Sequence, residues 1–232
     1  MVNAAALLCL QQFADSALPI GGAAHSFGLE SLADAGFLYP DNLESFLIDY
    51  LEEAGTLEAA YCASSCELVR DAAGEDVIAL WLQWNAQLGA RKLARESRDA
   101  SAAMGRRFLR LAADVSNIML LRTAVLCAEQ AAAQIHLAPC FGLTAGAMCL
   151  DPATASAAYL QQSVTTLISC CQRLLPLGQT RAHQILWNLK PAILAASEHG
   201  VSVPAAQIGS FTPMLDMASA RHPGLHTRLF MS

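Results

Sequence analysis

Few side chains in this chain are spaced for chemistry. Cys62 and Cys66 lie four residues apart, as do His222 and His226. On a helix that spacing puts both side chains on one face, where two metal ligands could converge. Two ligands do not make a site, and Pro223 weakens the second pair by interrupting its helix. The H-E-x-x-H and C-x-x-C patterns of zinc sites are absent. Ser26 follows His25 directly, but a nucleophile and its base are assembled in space, not by adjacency. The surrounding G-x-x-H-S also lacks the strand–turn–helix setting of a serine elbow. A lone histidine beside glycine-rich backbone reads first as a hydrogen-bonded structural residue. No G-x-x-x-x-G-K-[ST] loop is present, so nucleotide binding of that kind is not expected. The expectation is a chain with no catalytic residue, no cofactor and no high-affinity metal site of its own.

The elements that would carry these residues are helical. Hydrophobic residues make up 54% of the 232, aromatics only 6%. The apolar content is therefore mostly Ala and Leu, which favour helix over strand. No alternating stretch of useful length appears, so the fold class is all-α: a single-domain helical bundle with central buried helices and a flexible C-terminal tail. Helices are expected over 3–14, over 27–35 with Ser26 as N-cap, and over 41–53 with Asp41 and Glu44 as a capping box. Thr56 would cap the next, ended by Gly74, and another spans 75–88. Asp99 or Ser101 starts a helix through Leu111. The long apolar stretch over 115–150 is a central helix that Pro139 breaks or kinks near His136. Asp151-Pro152 opens a helix to Leu175. The stretch 179–197 carries a kink at Pro191, and Gly200 is a C-cap. Residues 1–200 form the domain. Residues 201–232 form a linker and tail, with a short helix from Pro213, that order on a partner.

Composition narrows the function. Charged residues are 15%, against about 25% in ordinary domains. Such a surface leaves apolar area to be covered by a second copy, a partner or lipid. Two uncharged stretches, 130–150 and 152–172, are interrupted by polar side chains such as Gln134, His136, Gln161 and Ser169, which fits buried helices better than membrane spans. The N-terminus has no basic segment before Leu7, so no secretory signal is expected. Eight cysteines sit among Ala, Leu and Ile as reduced core residues, and a cytoplasmic location follows. The net charge of −6 argues against nucleic acid. Residues 1–76 hold thirteen acids and one base, whereas 91–110 holds seven bases. That basic segment is either a solvated face with internal ion pairs or a dock for an acidic partner.

The most informative string is Asp15-Ser16-Ala17-Leu18-Pro19-Ile20-Gly21-Gly22-Ala23-Ala24-His25-Ser26-Phe27-Gly28-Leu29-Glu30. It closely resembles the signature of the UreF-type urease accessory proteins. Three further segments agree in order: Arg95 to Ser101 with Met104-Gly105-Arg106, Arg173 to Gln179, and Pro213 to His222 ending Arg228-Leu229-Phe230. Pro223 departs from the acidic residue common there in the family. The resemblance implies a chaperone and adaptor, not an enzyme. It would form a homodimer, bind a UreD/UreH-type accessory protein, recruit a UreG-type GTPase and help deliver nickel to apo-urease. Partner contacts would fall on Pro19, Gly21, Gly22, His25, Ser26 and Glu30, and on Arg221, His222, Arg228, Leu229 and Phe230. The alternatives are an activator of the partner GTPase acting in trans, and a Cys or Ser hydrolase.

Overall fold

The computed structural model describes residues 4–71 and 77–231, with Asp71 by its backbone alone. Every regular element among the described residues is a helix. Its helices are α1 Ala4–Phe13, α2 Leu29–Asp34, α3 Leu43–Tyr50, α4 Thr56–Asp71, α5 Val77–Arg91, α6 Arg95–Ser116, α7 Met119–Gln130, α8 Leu137–Ala147, α9 Pro152–Leu174, α10 Gln179–Asn188, α11 Lys190–Ser202 and α12 Pro213–Arg221. A π-helical segment, Leu51–Gly55, joins α3 to α4. Short 3₁₀ turns cover Gly22–Ala24, Ala205–Gln207 and His222–Gly224.

The centre is α8. Every residue from Leu137 to Gly146 is buried, as expected of a helix that is apolar on all sides. Around it pack α4, α6 and α9. Small residues allow that close approach. A Cβ on Gly142 would overlap the Cys62 carbonyl oxygen, and one on Gly146 would come within 2.5 Å of the Cys66 carbonyl oxygen. An aromatic chain runs through the core: Phe13 to Phe108 at 5.8 Å, Phe108 to Phe141 at 5.5 Å and Phe141 to Tyr159 at 5.7 Å between ring centroids. Trp81 Nε1 donates to the Pro139 carbonyl at 3.0 Å. The His136 backbone N–H donates to Asn85 Oδ1 at 2.7 Å.

Several expected boundaries are corrected. The helix expected over 115–150 is two helices, α7 and α8, separated at 131–136. The break does fall beside His136, but Pro139 does not make it: Pro139 stands third in α8, where its missing N–H has no helical acceptor to lose. The turn is made at Ala132, φ 48°, with the Ala133 N–H reaching back to the Ala128 carbonyl at 2.9 Å, the hydrogen bond of a Schellman end. Thr56 caps nothing: the helix runs on through the π segment, and Thr56 Oγ1 donates to the Leu51 carbonyl. Asp41 gives way to Asn42, which precedes α3 and accepts the Tyr39 N–H through Oδ1 at 2.9 Å. The helix expected from Asp99 or Ser101 starts at Arg95. Pro191 lies in the first turn of α11 and not in a kink. Gly200 lies inside α11, against the backbone of Ala59 and Ala60. The ending at Gly74 lies outside the described residues. Asp151 caps α9 as read, accepting the Thr154 N–H at 2.8 Å, and Pro213 opens α12.

Five of the eight thiols (Cys62, Cys66, Cys140, Cys170 and Cys171) are buried, and all eight are free. Burial pushes Cys66 and Cys171 up to about 12 and Cys170 up to about 11. They are protonated core residues rather than thiolates.

Candidate partner-binding site at the signature loop

The four segments that carry the resemblance meet in one place. The Pro-Gly-Gly break delivers the chain into the turn Gly22–Ala24 and then into α2. Gly21 and Gly28 both have positive φ, 88° and 91°. At Gly28 a side chain is doubly excluded, because a Cβ would lie 2.8 Å from Ser219 Oγ and 3.0 Å from the Leu215 carbonyl of α12. Gly28, not Ser26, precedes the first turn of α2. Ser26 Oγ is buried and has no hydrogen-bond partner, so it is neither the N-cap nor an activated nucleophile.

Glu30, in the first turn of α2, is the hub. Its Oε1 accepts the Leu229 N–H at 2.6 Å, and its Oε2 accepts the Phe230 N–H at 3.2 Å. The same Oε2 lies 2.8 Å from His222 Nε2. On the other side of that ring, Nδ1 lies 3.0 Å from Glu96 Oε2 of α6. Ser97 and Ser219 hydroxyls meet at 3.0 Å. Arg173 of α9 completes the seam. Its guanidinium stands 4.3 Å from the Phe230 ring centroid, donates to the Ala23 carbonyl at 2.9 Å and reaches the Leu229 carbonyl at 3.4 Å. The Met231 N–H donates to the Ala24 carbonyl at 2.8 Å.

The expected site residues therefore fall into two sets. Glu30, His222 and Phe230 converge and are buried, and His25 and Ser26 are buried beside them. Cys170 Sγ donates to the His25 carbonyl, and burial and Arg107 both lower the His25 ring's affinity for a proton against the raising field of Glu96. Pro19, Arg221, Arg228 and Leu229 are exposed, with Gly21 and Gly22 half-buried. Gly21 packs against the Arg107 guanidinium, which donates to the Ile20 carbonyl at 3.2 Å. Gly28, Glu96 and Arg173 are not among the expected contact residues, and Arg107 is expected only as one base of the segment 91–110. Gly28, Glu96 and Arg173 stand inside the quoted family segments, which was the available signal.

The preceding stretch of tail is also held. Arg91 Nη1 donates to the Ala205 carbonyl at 2.9 Å and also to the Ile208 carbonyl, and Nη2 donates to the Ala206 carbonyl at 2.7 Å. Glu53 accepts the Phe211 N–H at 2.8 Å. A cavity of about 120 Å³ is lined by Ile20, Gly22 and Phe27 of the loop, Ser97 and Met104 of α6, and Thr212 and Ser219 near α12. It borders the buried pair Glu58–Lys92. Burial alone would raise the Glu58 carboxyl. The Lys92 charge and hydrogen bonds from Lys92 and Tyr159 outweigh it and leave the group below its usual range.

Among the described residues no cluster of three or more His, Cys, Asp or Glu could hold a metal ion. The His222–His226 pair is not assembled, since both His222 ring nitrogens are engaged by carboxylates. No helix among the described residues is long and apolar enough to cross a membrane. Large apolar side chains stand in solvent instead, among them Phe211 at 77%, Leu93 at 73%, Met119 at 71% and Trp187 at 71% exposure.

Comparison with known proteins agrees with this picture. A family model described as UreF matches residues 39–190. A urease accessory protein UreF of Actinobacillus pleuropneumoniae serotype 3 is 30% identical over 224 residues, covering 96% of this chain and 97% of its own. One from a Nostoc species is 31% identical over 231 residues, covering 97% and 95%. Urease accessory protein F of Arabidopsis thaliana is 29% identical over 241 residues, covering 100% and 97%. The chain belongs to the UreF family, whose members bear the name of an accessory protein of urease and not of an enzyme.

Proposed function

We propose that this chain is an adaptor in urease maturation: a cytoplasmic homodimer that binds a UreD/UreH-type accessory protein, recruits a UreG-type GTPase and so supports nickel insertion into apo-urease. One observation carries this reading. The four family segments, up to 200 residues apart in sequence, are bonded into a single seam of loop and tail. Nothing in that seam is arranged as a nucleophile with its base, which suits recognition rather than turnover. The exposed side chains of Phe211, just before it in sequence, and of Leu229 within it offer apolar contacts to a partner. Residues 201–232 act as the segment that rearranges when the partner binds.

The test is complementation. A urease-producing cell lacking its own UreF-type gene regains urease activity when this chain is supplied with its cognate accessory proteins. A chain that is expressed and folded yet leaves urease inactive contradicts the proposal. A second reading is favoured by Arg228, which is exposed and makes no hydrogen bond or ion pair among the described residues. An arginine held out in this way could act on the partner GTPase in trans. GTP turnover by that partner, with wild-type chain and with Arg228→Ala, separates the two.

A further inference from the structure

One fully buried ring is held between two carboxylates that come from distant parts of the chain. His222 has no exposed surface, and each of its ring nitrogens faces a glutamate oxygen, Glu30 at 2.8 Å and Glu96 at 3.0 Å. An ionised carboxylate only accepts hydrogen bonds, and a neutral imidazole has a single N–H. With both glutamates ionised, a neutral ring would aim one lone pair at an oxygen about 3 Å away. The arrangement is complete only with one further proton. Glu30 already receives two backbone N–H groups from the tail, so the ring is the natural holder of that proton.

We propose that Glu30, His222 and Glu96 form a proton-dependent clasp, which holds the C-terminal segment on the signature loop while the ring is doubly protonated and releases it when that proton leaves. The inference stands on this geometry and does not require the partner assignment.

The other groups at the seam leave the proton to His222. On α9, Arg173 is permanently charged and pairs with Phe230 and two carbonyls, and Cys170 is held neutral by burial, up to about 11. On the loop, burial and Arg107 of α6 lower the His25 ring's affinity for a proton, against the raising field of Glu96. Glu96 is followed on α6 by Arg98, which donates to the Lys92 carbonyl at 2.9 Å, and by Asp99. Arg95, beside Glu96, adds a positive charge to the same turn. On α2 the remaining charge is exposed Asp34, and around the turn itself stand Asp216 and the exposed Arg221, His226 and Arg228. Loss of the ring proton turns one of the two nitrogen–carboxylate contacts from attraction to repulsion. The tail is then left to the backbone bonds of Leu229 and Phe230 to Glu30 and of Met231 to Ala24, now beside an unfavourable ring contact, and to Arg173 and the Arg91 contacts further upstream.

The experiment uses the full chain labelled with ¹⁵N. Ring nitrogen shifts of His222 report one or two N–H groups, and amide exchange at Leu229 and Phe230 reports closure, corrected for the intrinsic base-catalysed rate. Between about pH 5 and pH 8, the ring is expected to be doubly protonated while the amides are protected. Protection should fall by about tenfold or more as the second proton leaves, the scale of one charge-assisted hydrogen bond. In Glu96→Gln the amide can donate to Nδ1, so closure needs no extra proton and protection should persist across the range. A singly protonated ring under a protected tail overturns the proposal, as does protection that does not change with pH in the wild type. Retention of the wild-type pH profile by Glu96→Gln overturns it too. The wild-type ring measurement decides the matter even if that variant does not fold.

Discussion

Removing Glu30 would leave three donors, two of them backbone N–H groups, without the buried carboxylate they share. A charged acceptor lost from a buried network costs about 2–4 kcal/mol. Glu30→Ala is therefore expected to unfold at lower denaturant and to lose protection at Leu229 and Phe230; unchanged stability would show that the tail does not depend on it. His136 makes a separate prediction. Its ring is fully buried with neither nitrogen hydrogen-bonded, and burial, with Lys92 next, pushes it down from 6.5 to about 3. The unfolded chain takes up this proton near 6.5 and the folded chain does not, so stability is intact above that pH and is lost as pH falls towards 3. Denaturation series should show a shallower acid limb for His136→Leu than for wild type; equal slopes would place the acid sensitivity elsewhere. At this scale the sequence pointed to Glu30, His222 and Phe230 only through their place in a family string. Nothing local marks Glu96 or Arg173, because their partners lie more than fifty residues away in the chain and only the fold brings them together.

Helix ends were legible where a side chain does the capping and illegible where the backbone does. Asp151 followed by Pro152 is a signal in the sequence and a hydrogen bond in the structure. Asp151→Ala should cost about 1 kcal/mol in chemical denaturation, and no change would mean the cap is idle. The break between α7 and α8 carries no such mark, because alanine, not glycine, takes the left-handed position at Ala132. Cys149, φ 60°, does the same after α8, with the Leu150 N–H reaching back to the Ala145 carbonyl at 3.0 Å. The break expected near His136 was assigned to Pro139, which lies inside α8 and does not make it. The contact between α4 and α8 depends on a missing Cβ. Gly142→Ala forces the two helices apart and should cost about 3 kcal/mol or more, read as a lower melting temperature; a tolerated alanine would mean the helices are not packed backbone to backbone.

For the molecule as a whole, composition indicated what the fold shows: a helical core wrapped around one apolar helix, with apolar side chains left in solvent. The class was legible because Ala and Leu dominate and no strand pattern competes. The junction of loop, α6, α9 and tail was not, because it depends on long-range bonds rather than on periodicity. We propose that this chain works by being bound. The direct test is co-purification of the tagged chain with its cognate UreD/UreH-type protein and UreG-type GTPase. The first partner is expected to elute with the wild type, the GTPase to join only in the presence of both, and Arg228→Ala to stay folded but lose the GTPase. A wild-type chain that elutes alone beside both partners would contradict it.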